Sequence, residues 1–284
     1  MERLVVCGNA REAKLRDVAA SFGRLRAVLG SLSPGGRARS PVPTTIVVFR
    51  DDEELQRFGL RADGRPIRVS GFFRPAPEAN QIGLSARWNE DPRPIVYHEL
   101  LHEYLRWNNP PQPVWFEEGL AEYYSTFASS GSRATVGGIR REHLRLLRQS
   151  VPMPLEELLA VGRESPWYTE DSRRGAFYAE AWAFTHFLLH SNPSLPPRLF
   201  RYLERTRGGV ERHEAFGEAF GRSEAEVFAD FVAYVRGPRF TSYTIPLPPG
   251  TPEPPRAVAV PRADVLARLA GLLLPDATTI TGRT

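Results

Sequence analysis

Apolar residues recur at helical spacing over residues 10–31, where Leu15, Val18, Ala19, Phe22, Leu25, Val28 and Leu29 share one face. The run Leu-Val-Val-Cys just before it predicts a short strand, and the Pro/Gly/Ser/Arg stretch 33–41 predicts a loop. Thr44 to Phe49 is β-branched and uniformly apolar, as a buried strand should be, and Asp51 can cap a short helix after it. Two more strands are expected at 67–74 and 80–85, on either side of the Pro-Ala-Pro turn at 75–77. From Asp91 the period changes to that of helices, over about 92–107, 113–128, 138–149, 175–190, 196–206, 209–220 and 222–236. Strands first and helices afterwards predict an α+β fold: a small N-terminal mixed β-sheet with helices, then a helical C-terminal lobe.

This pattern makes residues 1–237 one main domain, strand-rich over 1–90 and helical over 91–237. Residues 238–263 carry eight prolines (238, 246, 248, 249, 252, 254, 255 and 261) and predict an extended linker. Within the terminal segment 264–284, Val265 to Leu274 forms a short apolar helix. It either packs back on the domain or, the reading we favour from sequence, begins a further module.

Composition narrows the chemistry. The 284 residues are 42% hydrophobic and 25% charged, as expected of a globular protein able to bury a core. One cysteine, Cys7, excludes an internal disulfide framework and any multi-cysteine metal site. Lys14 is the only lysine, so 36 of the 37 basic residues are arginine. They alternate with acids to a net +4 and form no basic block, so no nucleic-acid partner is expected. No apolar run reaches eighteen residues, and Met1-Glu2-Arg3-Leu4 does not open a signal peptide. The expectation is a soluble protein with no membrane span, cytoplasmic unless a leader has been removed.

Residues 98–102 read His-Glu-Leu-Leu-His. On a helix, positions i and i+4 share a face, so His98 and His102 can bind one zinc ion while Glu99 reaches a bound water as general base. Asp91-Pro92 and Asn109-Pro110 are independent start and stop signals for that helix. A catalytic zinc also needs a third protein ligand. Fifteen residues on, Trp115-Phe116-Glu117-Glu118-Gly119-Leu120-Ala121-Glu122-Tyr123 predicts a second helix, on which Glu118 and Glu122 share a face and Glu117 points about 100° away.

His-Glu-Leu-Leu-His followed by Trp-Phe-Glu-Glu-Gly-Leu-Ala-Glu-Tyr resembles the gluzincins, the thermolysin- and aminopeptidase-like zinc peptidases, and most closely their peptidase-MA-like domains. The resemblance covers about residues 1–236 and is strongest at 92–124. It implies that Glu118 is the third ligand of one Zn2+ and that Glu122 holds a ligand histidine by its far ring nitrogen. It also implies that Tyr178, on a helix like the one carrying the aminopeptidases' catalytic tyrosine, stabilises the oxyanion, with His186 and His190 as rival donors. Asn80, Gln81, Ile82 and Gly83 would form the edge strand that binds substrate. The Gly-Ala-Met-Glu-Asn aminopeptidase signature is absent from the sequence, so recognition of a free N-terminus is not implied. Relatives of this kind are often joined to tetratricopeptide repeats and often carry leaders, which suits a repeat module beyond the linker.

The expected function is that of a zinc metallopeptidase, a hydrolase acting on a peptide or protein substrate through a zinc-bound water activated by Glu99. The alternative is a zinc-binding pseudopeptidase that uses its cleft to bind a peptide or protein. His143 and His213 fall on charged helix faces and are expected in solvent. Cys7, Trp107, Trp115 and Trp182 are expected in the core or a pocket wall, and specificity in the loops 128–138 and 161–174.

Overall fold

The structure, a computed structural model, describes residues 4–33, 36, 38, 40–59, 61–62, 65–87, 91–249, 258 and 260–273. In chain order, β1 (Leu4–Gly8), α1 (Glu12–Leu32), β2 (Thr44–Phe49) and α2 (Asp52–Gln56) come first. The two-residue strands β3 (Arg61–Ala62) and β4 (Arg65–Pro66), then β5 (Gly71–Arg74) and β6 (Asn80–Ser85), lead to α3 (Arg93–Asn108) and α4 (Val114–Tyr124). A hairpin of β7 (Ala128–Ser130) and β8 (Arg133–Val136) precedes α5 (Arg141–Gln149), α6 (Leu155–Ala160), α7 (Pro166–Thr169) and α8 (Asp171–His190). The chain continues through α9 (Leu195–Arg207), α10 (Arg212–Phe220), α11 (Glu224–Arg236), β9 (Tyr243–Pro246) and α12 (Arg262–Gly271). The fold is mixed as the sequence predicts, a small N-terminal mixed sheet followed by a helical region.

Two compact units result, one of Met1–Asn109, Ser129–Ala134 and Pro246–Thr284, the other of Pro110–Ala128 and Thr135–Ile245. The first break between them falls at Asn109–Pro110, and α3 stays with the strands on which it packs.

In the first unit the sheet runs β1-β2-β6-β5, the first three strands parallel and β5 antiparallel to β6. Every residue of β2 and of β6 is buried, since both faces of the sheet are covered. Side chains alternate between the faces. Thr44 and Asn80 face α3, whereas Thr45 approaches Arg268 of α12. On the α12 side Cys7, Val47, Phe49, Leu55, Phe72 and Leu272 form one core cluster. Cys7 is thus the small core residue expected, and burial pushes its thiol up and away from reactivity.

Several expectations need correction. β6 lies between β2 and β5, so Asn80, Gln81, Ile82 and Gly83 form no edge strand: the backbone of Gln81, Ile82 and Gly83 is already paired on both sides, and Asn80 is paired with Thr44. β5 begins at Gly71 rather than 67, because β6 ends at Ser85, opposite Ser70, and among the described residues 67–69 have no partner strand. Within the predicted linker lies strand β9, which belongs to a three-stranded sheet ordered β7-β8-β9. Residues 250–257 of that linker, some of the 33–41 loop and the tail 274–284 lie outside the described residues. α12 packs back on β2 and places Leu272 in the core cluster.

The second unit is built around α8, against which α4, α5, α6, α7, α9 and α11 all pack. α8 is buried on nearly every side, with Phe177, Trp182, Phe184 and Leu188 fully enclosed and Ala179, Ala181 and Ala183 letting its neighbours approach closely. α4 comes closest. A Cβ on Gly119 would lie 2.3 Å from the Ala181 carbonyl oxygen and 2.2 Å from Thr185 Oγ1. No described helix is long and apolar enough to cross a membrane.

Candidate metal centre

The histidine motif sits on α3, whose rotation is fixed by polar ties to the sheet. Glu103 is 1% exposed. Its Oε1 accepts from Arg26 Nη1 at 2.9 Å, Thr44 Oγ1 at 2.8 Å and Asn80 Nδ2 at 3.3 Å. A carboxylate taken so far from water needs such compensation, and it ties α3 at once to α1, β2 and β6. Trp107 Nε1 donates to Asn80 Oδ1 at 2.9 Å, and Tyr104 and Ser33 share a hydroxyl bond of 2.8 Å. Asn80 is therefore a strut for the motif helix. The other positions read as substrate-binding are also interior: Ile82 is 1% exposed, a Cβ on Gly83 would strike the Phe72 ring, and the Gln81 amide lies against Gly271 of α12.

Glu99 lies one helical turn before Glu103, on the same buried face. A Cβ on Gly71, the first residue of β5, would sit 2.4 Å from Ile95 Cγ2 and 3.1 Å from Glu99 Oε1. The missing side chain of Gly71 makes room for that carboxylate. His98 and His102 are half-buried on the adjacent face, their Nε2 atoms 3.0 Å apart and their rings inclined at 71°. Two nitrogens each bound at about 2.0–2.1 Å to one tetrahedral ion stand about 3.4 Å apart, so the pair is close to a shared-ion geometry.

In the second unit α4 buries both Glu118, 1% exposed, and Glu122, 6% exposed. Tyr168 of α7 donates its hydroxyl to Glu118 Oε1 at 3.1 Å. Glu122 Oε2 accepts from Arg140 Nε at 3.0 Å and lies 3.1 Å from His143 Nε2. This corrects the placing of His143 in solvent: α5 turns it inward onto Glu122 and the Trp182 ring. Glu117 instead pairs with Arg163. His213 is largely exposed, as expected.

Tyr178 is half-buried on α8, its ring beside those of Phe177 and Tyr168. The rival donors are committed elsewhere. His186 is fully buried, with Nε2 facing the Gly137 carbonyl at 3.0 Å and Nδ1 facing the Tyr234 hydroxyl at 2.6 Å. The carbonyl can only accept, so Nε2 carries the proton and Nδ1 accepts from the tyrosine. Burial holds this ring's pKa down. His190 lies between Tyr123 and Thr241, and its pKa is pushed down to about 4 by burial and by the neighbouring His186.

Sequence reasoning missed Tyr168, Arg163 and Arg140. Ser165-Pro166 is a legible helix start, but nothing in the sequence says that the turn after it reaches a residue fifty positions upstream.

The model of a family described as a protein of unknown function (DUF1570) matches residues 96–207, which spans the chain from α3 into α9 and includes both motif helices. Among curated proteins, none matches the chain.

Proposed function

We propose that the protein is a zinc-dependent metallohydrolase that cleaves peptide bonds, with His98, His102 and Glu118 as the protein ligands of one zinc ion. The observation that carries this reading is the convergence of the two histidine Nε2 atoms, 3.0 Å apart on α3. Glu118 joins them by its place in the second motif, directly before Gly119 on α4. Two imidazoles and one carboxylate leave a fourth position open, the ligand number of a catalytic rather than a structural zinc. Bound there, zinc would supply a Lewis acid that polarises a scissile carbonyl and acidifies a water.

The chain's own residues do the rest. Glu99 neighbours His98 on α3 and is nearly enclosed, which suits a carboxylate that takes the attacking water's proton and returns it to the leaving amine. Tyr178, half-buried, offers a hydroxyl to the oxygen that gains charge. The Glu103, Asn80 and Trp107 ties hold α3 so that Glu99 and the histidines keep their relative directions. β5 pairs only with β6 among the described residues and lies against α3, so an extended peptide would add to the sheet there, as a strand beyond β5.

Elemental analysis of protein purified without added metal should find about one zinc per chain, lost in His102→Ala. Glu99→Gln should keep the metal yet lose hydrolysis of a fluorogenic peptide library by about 10²–10⁴-fold. Absence of zinc after reconstitution would end the metal reading. Zinc without turnover in the wild type would make the protein a peptide-binding module, and wild-type turnover in Glu99→Gln would remove Glu99 as the base.

A further inference from the structure

Glu118 is held by a relay within its own unit. α7 is one helical turn, started by Ser165, whose Oγ accepts from the Trp167 N–H. It presents Tyr168, whose hydroxyl donates to Glu118 Oε1 at 3.1 Å and accepts from Arg163 Nη1 at 3.2 Å. The other terminal nitrogen of Arg163 donates to Glu117 Oε2, and its guanidinium carbon lies 5.8 Å from the centre of the Tyr168 ring. Phe177 and Tyr178 of α8 meet that ring nearly edge-on, at centroid distances of 6.2 and 6.4 Å. The tyrosine is thus fixed from both ends, its ring by α8 and its hydroxyl by two charged groups.

Such a relay bears on a metal ligand in two ways. A carboxylate must present one oxygen in a set direction, and a hydrogen bond to it selects that rotamer before the ion arrives, which removes an ordering cost from binding. The relay also extends past the tyrosine hydroxyl, through Arg163, to Glu117. Arg163 neutralises Glu117 directly and, by polarising the Tyr168 hydroxyl, strengthens the bond that hydroxyl donates to Glu118. α4 gives Glu118 its position along the helix, and α7 gives its carboxylate an orientation.

We propose that Tyr168, backed by Arg163, is a positioning residue that orients the Glu118 carboxylate for a divalent cation. The proposal rests on the reading of Glu118 as a metal ligand. It predicts that loss of one hydroxyl, at a residue no motif contains, changes how tightly and in what symmetry the ion is held.

The test uses the whole chain, stripped of metal, as wild type, Tyr168→Phe, Arg163→Gln and Glu118→Gln. Zinc affinity is measured by competition with a chromogenic chelator, and the ligand field by the visible absorption of the Co2+-substituted protein. Tyr168→Phe should weaken zinc about 10-fold and shift the cobalt bands, while the metal-free thermal transition stays where it is in the wild type. Arg163→Gln should move both readouts the same way by less. Arg163 is mostly exposed, so its replacement leaves the packing intact and decides the matter alone if Tyr168→Phe does not fold. A wild type that binds no zinc, or a Glu118→Gln variant that binds it as tightly as wild type, overturns both the ligand assignment and this proposal. If Glu118→Gln loses the metal but Tyr168→Phe and Arg163→Gln keep wild-type affinity and spectrum, the ligand assignment stands and the relay is overturned.

Discussion

Glu180 lies inside α8, 3% exposed, with both carboxylate oxygens near the Met153 N–H at 3.0 and 3.1 Å. Burial pushes its pKa up to about 8, against the pull of that N–H and with a further push from Glu157. A carboxyl raised in the fold and ordinary in the unfolded chain stabilises fully below about 4.5, and that contribution drains away as pH rises through about 8. His190 has the opposite sign. Its pKa is depressed to about 4, so its contribution is present above about 6.5 and is lost as pH falls through about 4. The two effects oppose each other between about 4.5 and 6.5, and only Glu180 acts from there to about 8. Denaturant titration of Glu180→Gln in that upper window should show the downward slope with pH gone, with a gain over wild type on the order of 3 kcal/mol at pH 8. An unchanged slope would show that the carboxyl is already ionised in the fold.

Gly119 shows how one element constrains another. In an open helix interior alanine is better than glycine by about 1 kcal/mol. Here a Cβ would press into the Thr185 hydroxyl and the Ala181 carbonyl, and that carbonyl is backbone that cannot swing aside. Gly119→Ala should therefore destabilise the protein, by about 2 kcal/mol or more, and a raised melting temperature would contradict the packing of α4 on α8. The same elements show what the sequence makes legible. α3 and α4 are readable because proline, aspartate and asparagine punctuate them and their apolar spacing is helical. β7, β8, β9 and α7 are not, because each is only three or four residues long, too short for a period to declare itself. Such pieces are stabilised by partners far along the chain, as where the Leu247 N–H donates to the Ser132 carbonyl.

On the scale of the molecule, the chain returns to its beginning. α12 follows the proline-rich stretch and places Leu272, fully buried, among Cys7, Val47, Phe49, Leu55 and Phe72. Arg74 of β5 donates to the Leu272 carbonyl. The C-terminal helix thereby completes one face of the sheet whose other face carries α3. Leu272→Ala should cost about 3 kcal/mol in a chemical denaturation experiment, as for a leucine enclosed on all sides. A loss below about 1 kcal/mol would mean that α12 does not share the core of the first unit.

The sequence by itself determined the order of the long strands and helices, the core face of α1 and the residue types of the candidate centre. Those features are local: they rest on periods of two and 3.6 residues, on caps, and on the i, i+4 spacing of His98 and His102. The tertiary structure alone decided that Asn80 braces the motif helix instead of lining a sheet edge, that His143 turns inward onto Glu122, and that Tyr168 reaches Glu118. Which strand is central, and which side chain meets which carboxylate, depends on pairings between residues tens of positions apart. Those pairings follow from how the buried faces fit together, and no local pattern encodes them.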